Sequence, residues 1–245
     1  MQPHWNDRDI SVSVDVFAPI ASRSTIQDGV YRQLRYALMT GRFEPGQTLT
    51  MASLSESFGT SHMPVREALR RLVAENALEL AANGSARIPA TSRARLDDLC
   101  RARIAVESLA TELAVPNVTA RDIVELEDTI REHETIGLTD SVYAMLDKNQ
   151  EFHFHLYGAS RSEVLIQLIE TLWLRFGPYM RMLTHHIEPL LKTDSAGAYS
   201  IHHREIVAAL KGRDVAAARA AIVADIEATR DLLRGLIGDE QARTD

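Results

Sequence analysis

The sequence predicts a mainly α-helical chain in two parts: a small N-terminal unit of three helices and one β-ribbon, then a bundle built from helices alone. Three observations carry this reading. Apolar residues recur at helical spacing over most of the chain. The strongest hairpin signal is the Asn83-Gly84 pair between two short extended runs. Charge divides near the same place: residues 24–90 carry a net +1 and residues 91–245 a net −7, a split that suggests two parts with different partners.

The elements follow in order. Residues 1–23 have no helical period and two prolines, and read as a loose arm. Ser24 with Gln27 forms a capping-box pattern, and Ile26, Val30, Leu34, Ala37 and Leu38 give a first helix as far as Thr40. Gly41 stops it, and Pro45-Gly46 turns the chain. Thr50 caps a short second helix over residues 51–58, which Gly59 ends. Ser61 caps a third, with the body MPVREALRRLVAENAL. Its Pro64 lies in the first turn, where a missing N–H costs little, and Val65, Leu69, Leu72 and Val73 form its inner stripe. Residues 78–89 then read as a two-stranded ribbon. From Ser92 onward helices are expected over 92–115, 120–136, 141–158, 162–176, around 178–187, 196–211 and 215–237. Pro116, the Thr119/Asp122 pair, Gly137, Asp140, Pro189, Gly212 and Asp214 punctuate them. The domains are therefore expected at 24–90 and 91–245. Residues 89–92 (PATS) are the whole linker, so the halves should be mechanically coupled.

Composition narrows the function classes. With 45% hydrophobic and 25% charged residues in a chain of 245, neither a disordered nor a collagen-like protein fits. No apolar run is long enough to span a bilayer, and the acidic first residues lack the apolar core of a signal peptide. Cys100 is the single cysteine, which excludes an intrachain disulfide and a thiolate zinc finger. A reducing cytoplasm is the expected compartment.

Helix, helix, tight turn, helix and ribbon describe a winged helix-turn-helix. The start of its third helix offers free N–H groups to phosphate. Ser61, His62, Met63 and Arg66 would reach base edges in a major groove, with Arg70 one turn beyond Arg66 on the same face. Gly84 at the wing tip allows close backbone approach, and Arg87 supplies charge. All seven cations of residues 24–90 are arginine, the fork-shaped donor suited to phosphate and guanine. On pattern alone, a tri-helical packing module without a DNA partner stays open.

The runs GRFEPGQTL, LSESFGTSHMPVREALRRLVAENAL and NGSARI resemble the GntR family of bacterial transcription regulators over residues 25–90. The resemblance implies DNA binding, with Ser61, Arg66, Arg70 and Gly84 on positions the family uses against DNA. This chain departs from the family in having His62-Met63 where Arg-Thr is frequent and Ala81-Ala82-Asn83 where a basic residue often precedes the wing glycine. An arginine often found in the family's second helix is also missing.

In the C-terminal part, six of nine histidines come in close pairs: His153/His155, His185/His186 and His202/His203. Asn149 and His153 are four apart on one helix face. His203 precedes Gly212 by nine residues and Asp225 follows Asp214 by eleven. If the helices fold back at that turn, both lie roughly 13–17 Å from it at ~1.5 Å per residue. Asn149, His153, His203 and Asp225 could thus meet at one interior point, a mixed N/O set suited to a divalent metal ion such as zinc, nickel, manganese or iron. The plain alternative is a set of ordinary core and surface histidines.

NQEFHFHLYGASRSEVLIQLIETLW and HHREIVAALKGRDVAAARAAIVADI resemble the FadR-type C-terminal ligand domain, called FCD, over about residues 92–236. There the corresponding residues hold a metal. Here Asp225 stands where the family has a second histidine, and Asn149 is the less acidic of two usual choices. Arg103 and Glu107 match an Arg–Glu pair of that domain and read either as a simple i,i+4 ion pair or as an anchor for a carboxylate effector. Arg175 and Arg181, in the run WLRFGPYMRM, are further effector candidates, while Trp173, Phe176 and Tyr179 read as core.

The resulting expectation is a ligand-responsive DNA-binding transcription regulator: a repressor released from double-stranded operator DNA by a small carboxylate metabolite. A homodimer is expected because operator symmetry mirrors protein symmetry. The alternative is a metal-dependent enzyme using the same Asn/His/His/Asp set, although no nucleophile–base motif or phosphate loop accompanies it.

Overall fold

The computed structural model describes residues 24–81, 85–136, 142–190 and 200–244. The arm at 1–23, the Asn83-Gly84 turn, and the breaks expected at Gly137 and Asp140 lie outside them. The N-terminal unit comprises α1 (Ser24–Met39), β1 (Thr48–Leu49), α2 (Met51–Phe58), α3 (His62–Ala74), β2 (Glu79–Leu80) and β3 (Ala86–Arg87). The bundle comprises α4 (Arg93–Ala114), α5 (Ala120–Ile136), α6 (Val142–Gly158), α7 (Glu163–Ile187), a 3-10 turn (Glu188–Leu190), α8 (Ile201–Gly212) and α9 (Val215–Thr244). No helix among the described residues is long and apolar enough to cross a membrane.

Local chemistry sets most boundaries. The Thr50 hydroxyl accepts from Ser53 N at 3.2 Å to open α2, and Gly59 closes it in the left-handed region at φ 59°. Ser92 and Ser162 cap α4 and α7 in the same way. Thr119 and Asp122 exchange backbone and side-chain bonds at the head of α5. Asp214 accepts from Ala217 N at 2.9 Å to start α9.

Two expectations are corrected and a third is refined. The ribbon is a three-stranded antiparallel sheet in the order β1-β3-β2, with Thr48 and Glu79 both paired to Arg87. The two segments expected around 162–176 and 178–187 are one helix that passes through Pro178. An internal proline removes the bond to the carbonyl four residues back, at a cost of about 3 kcal/mol. Here a buried face of Trp173, Phe176, Tyr179 and Met180 holds the helix together around it. Finally, α8 does end at Gly212, but the left-handed residue that caps it is the following Arg213, at φ 54°.

The two units are tightly joined. A Cβ on Gly177 of α7 would lie 2.2 Å from the Leu38 carbonyl oxygen of α1, and one on Gly41 only 2.7 Å from Arg181 N. Bare backbone at both positions lets the helices touch. Around this contact Arg35 pairs with Glu170 at 3.0 Å and Arg181 Nε donates to Glu44 at 2.7 Å. The Arg42 guanidinium stacks 3.8 Å from the Tyr143 ring centre. The linker is clamped as well: Tyr179 donates to Ser92 O at 3.0 Å, and Pro89 is buried.

Candidate functional site

The first candidate surface is the outer face of α3. Ser61, His62, Met63, Arg66 and Arg70 are all exposed there, with Met63 at 60%. Val65, Ala68, Leu69 and Leu72 point inward, so the helix has one packed and one free face. Unlike Thr50, Ser92 and Ser162, Ser61 makes no side-chain cap, which leaves its hydroxyl and the first-turn N–H groups available to an anion. Arg66 has no ion pair or hydrogen bond among the described residues. Arg70 holds only an exposed contact to Glu67 at 3.2 Å. Arg87 is exposed on the central strand, and Gly84 lies outside the described residues. Exposed arginines beside an open helix N-terminus are suited to a phosphate backbone and guanine edges.

The second is a cavity of about 230 Å³ inside the bundle. All six helices reach it: Arg103 from α4, His133 from α5, Asn149 and His153 from α6, Trp173 and Phe176 from α7, His202 from α8 and Asp225 from α9. The fold-back at residues 212–214 sets His203 and Asp225 level with each other. His153 Nε2 lies 3.2 Å from His203 Nε2 and 3.4 Å from Asp225 Oδ2, and His203 Nε2 lies 3.8 Å from Asp225 Oδ1. Donors bonded at about 2.0–2.2 Å to one tetrahedral ion stand about 3.3–3.6 Å apart. The three side chains therefore fit a divalent metal.

The hydrogen bonds behind them agree. The Tyr157 hydroxyl donates to Glu107, so it must accept from His153 Nδ1, 3.2 Å away. That places the His153 proton on Nδ1 and leaves the Nε2 lone pair facing the cluster. Burial holds the imidazoles neutral: His153 falls well below 6.5, and His203 falls to about 4. Burial lifts the Asp225 carboxyl from 3.8 to about 6, with Arg103 opposing the rise. Asn149 lines the same cavity one turn from His153.

The structure separates the three effector candidates. Arg103 lines the cavity but is bound along one edge: Nε and Nη2 donate to Glu107 at 2.7 and 3.2 Å. Glu107 also accepts from Tyr157 and from Trp173 Nε1 at 3.2 Å. Burial works against the guanidinium's charge, and the Glu107 carboxylate keeps it firmly charged. Its face packs against Trp173 and Phe176, which are thus both core and cavity wall. Arg181 sits outside the cavity lining, in the contact with Glu44, and Arg175 also lies outside it. Sequence reasoning missed His133. It is 3% exposed, its ring centre is 5.8 Å from that of His203, and its Nδ1 is buried without a partner. Burial, then the neighbouring His203, lowers it to about 4.

A winged helix-turn-helix with an exposed arginine face, joined to a helical bundle around an internal cavity, defines a transcription regulator with a DNA reader and a ligand domain. Comparison with known proteins agrees. Residues 26–88 match the gntR family of bacterial regulatory proteins, and residues 98–228 match the FCD domain. The chain is 32% identical over 185 residues to the HTH-type transcriptional regulator McbR of Escherichia coli K12, covering 76% of this chain and 82% of that one. It is 27% identical over 200 residues to the E. coli K12 HTH-type transcriptional repressor GlaR, covering 79% and 89%. The solved structure of E. coli McbR/YncC superposes with a TM-score of 0.79 at 29% identity, over 87% of this chain and 98% of that one. The chain belongs to the GntR family of DNA-binding transcription regulators, in the FadR-type branch that carries an FCD domain. Operator DNA and a small-molecule effector are the partners of such proteins. The reading as a metal-dependent enzyme gains no support from these relatives.

Proposed function

We propose that the protein is a cytoplasmic, homodimeric repressor that leaves its operator when a small carboxylate binds in the bundle cavity beside a divalent metal. The observation that carries this is the meeting of His153, His203 and Asp225 within 3.2–3.8 Å at the cavity wall. Asn149 is the fourth member of the set. A bound zinc, nickel, manganese or iron ion supplies a Lewis-acid position for a carboxylate there. The chain's own groups do the rest. His153 presents Nε2 because Tyr157 and Glu107 fix its tautomer. Arg103, neutralised by its pair with Glu107, lines the wall next to the ion site together with Trp173 and Phe176.

The release follows from the shared helix. Trp173, Phe176, Met180 and Leu183 of α7 line the cavity, while Gly177 of the same helix carries α1 of the DNA reader. A ligand that shifts α7 changes the seat of the reader. Exposed Leu109 and Leu113 on α4, with exposed Val164 and Leu168 on α7, supply apolar surface suited to a second copy.

The test is elemental analysis of protein purified without chelator, with gel shifts on DNA fragments flanking the gene. One metal per chain is expected, and a carboxylate metabolite should release the DNA. His203→Ala should lose the metal and the release while still retarding DNA. No stoichiometric metal, together with normal release in His153→Ala and His203→Ala, would overturn the cavity reading.

A further inference from the structure

The cavity has two unlike ends. Along α6 its lining runs from His153 through Asn149 to Met145. Along α7 it runs from Trp173 through Met180 to Ile187, and along α9 from Asp225 through Thr229 to Leu232. His153 and Trp173 are neighbours, with ring centres 5.3 Å apart, so these series begin at the same level. The α6 and α9 series go from polar to apolar over about two turns, roughly 10–12 Å at about 1.5 Å per residue, and the α7 series is apolar along its whole length.

The charge count is equally definite. Among the described lining residues Arg103 is the only Arg or Lys and Asp225 the only carboxylate. Glu107 cancels the Arg103 charge. With a divalent ion in place, Asp225 leaves one net positive charge. One carboxylate balances it; a second would be buried without a counter-charge, next to an apolar wall.

One polar group is left over. His133 Nδ1 is buried and unpartnered, and the side chain lines the cavity. His133 stands outside the set whose donor atoms converge on the metal position, so it belongs to the next group out. Buried polar atoms in native proteins nearly always have a partner, and an orphan at a cavity points to a ligand.

Resting on the effector reading above, we infer that the cavity takes a monocarboxylate with an apolar body, and that His133 orients it by hydrogen bonding an uncharged polar group beside the carboxylate. Sugar acids, with polar groups throughout, and di- or tricarboxylates are excluded by the apolar end and by the charge count.

Zinc-loaded full-length protein in a Trp5→Phe background tests this, with Trp173 fluorescence as the signal. The probes are phenylacetate, mandelate, succinate and citrate. Phenylacetate should bind, mandelate should bind at least about tenfold tighter, and succinate and citrate at least about tenfold weaker than phenylacetate. In His133→Leu the mandelate advantage should vanish, and in His133→Gln it should return in part. Nitrogen-15 imidazole spectra of the unmutated protein give a second readout: the His133 signals should move more with mandelate than with phenylacetate. A preference for succinate or citrate overturns the charge argument. An undiminished mandelate advantage in His133→Leu, or His133 signals that ignore the hydroxyl, overturns the role of His133. If none of the four acids gives a saturable signal, the effector reading itself fails and this inference falls with it.

Discussion

Replacing Asp225 by Asn is expected to stabilise the metal-free protein while weakening its hold on a divalent ion. Burial raises the Asp225 carboxyl from 3.8 to about 6. The folded state therefore binds the proton more tightly than the unfolded state. The carboxylate costs nothing below about pH 4, begins to cost as pH rises, and reaches its full penalty above about pH 6. That penalty is about 3 kcal/mol, at about 1.4 kcal/mol for each tenfold change in proton affinity. The side chain is 15% exposed to the cavity, so partial solvation brings the working figure to about 2 kcal/mol. For a chain of this size that is about 4–8 °C in melting temperature. His133 and His203 are lowered to about 4, so what they contribute is full above about pH 6.5 and is lost as pH falls. Both proteins carry them, and comparing the two at each pH isolates Asp225. The assay is thermal melting in EDTA at pH 7.5 and pH 4.5, repeated with excess zinc. The variant should melt higher at pH 7.5, the gap should shrink to about a third at pH 4.5, and zinc should raise the original protein more. A variant that melts lower in EDTA at pH 7.5, or a gap that ignores pH, would refute the idea of a carboxylate held ready for a metal.

Arg66→Ala should cost about 1–3 kcal/mol of operator affinity, read by gel shift at fixed salt, because a bidentate base contact is lost. Unchanged affinity would show that α3 is not the reader. Despite the chain's net charge of −7, operator binding should weaken steeply with salt, by about 0.9 in log–log slope for each phosphate neutralised. A flat response would rule out phosphate contacts as the main hold. Gly177→Ala sets a Cβ 2.2 Å from the Leu38 carbonyl oxygen and should destabilise the chain by about 1–3 kcal/mol. An equal melting temperature would mean the α1–α7 contact is not close in solution.

Local signals in the sequence were read correctly where one or two residues decide the outcome. Thr50 and Asp214 cap the helices they were expected to cap, because a cap needs only its neighbours along the chain, whereas Ser61 precedes α3 without making the expected side-chain bond. The meeting of His203 with Asp225 was also legible, since the turn at 212–214 fixes a hairpin and residue counts then give heights. What depends on distant packing was not. Strand β1 is two residues long and exists only because β3 lies beside it. Pro178 reads as a break until its buried surroundings are known. The i,i+4 pair of Arg103 with Glu107 could be read in advance, but the turn of Arg181 to Glu44, 137 residues away, could not. His133 has no partner at i,i+4 and lies on a helix without other candidates. Its only sequence signal is that it is the one histidine of an otherwise charged and aliphatic segment, ARDIVELEDTIREHETI.

The bare backbone of Gly177 has a consequence for anyone who builds hybrids of such regulators. Helix α7 is a party wall: one side is furnished by the ligand domain and the other by the reader. A junction cut in the short linker at residues 89–92 would leave α1 facing a foreign wall. If that wall carried any side chain at the position of Gly177, the Leu38 carbonyl could not come to rest on it. Transplanting this reader onto another ligand domain therefore means transplanting the glycine as well, and matching Gly41 against the turn of α7 that bears Met180 and Arg181. The unit of exchange is the reader plus one face of a helix more than eighty residues downstream of the linker.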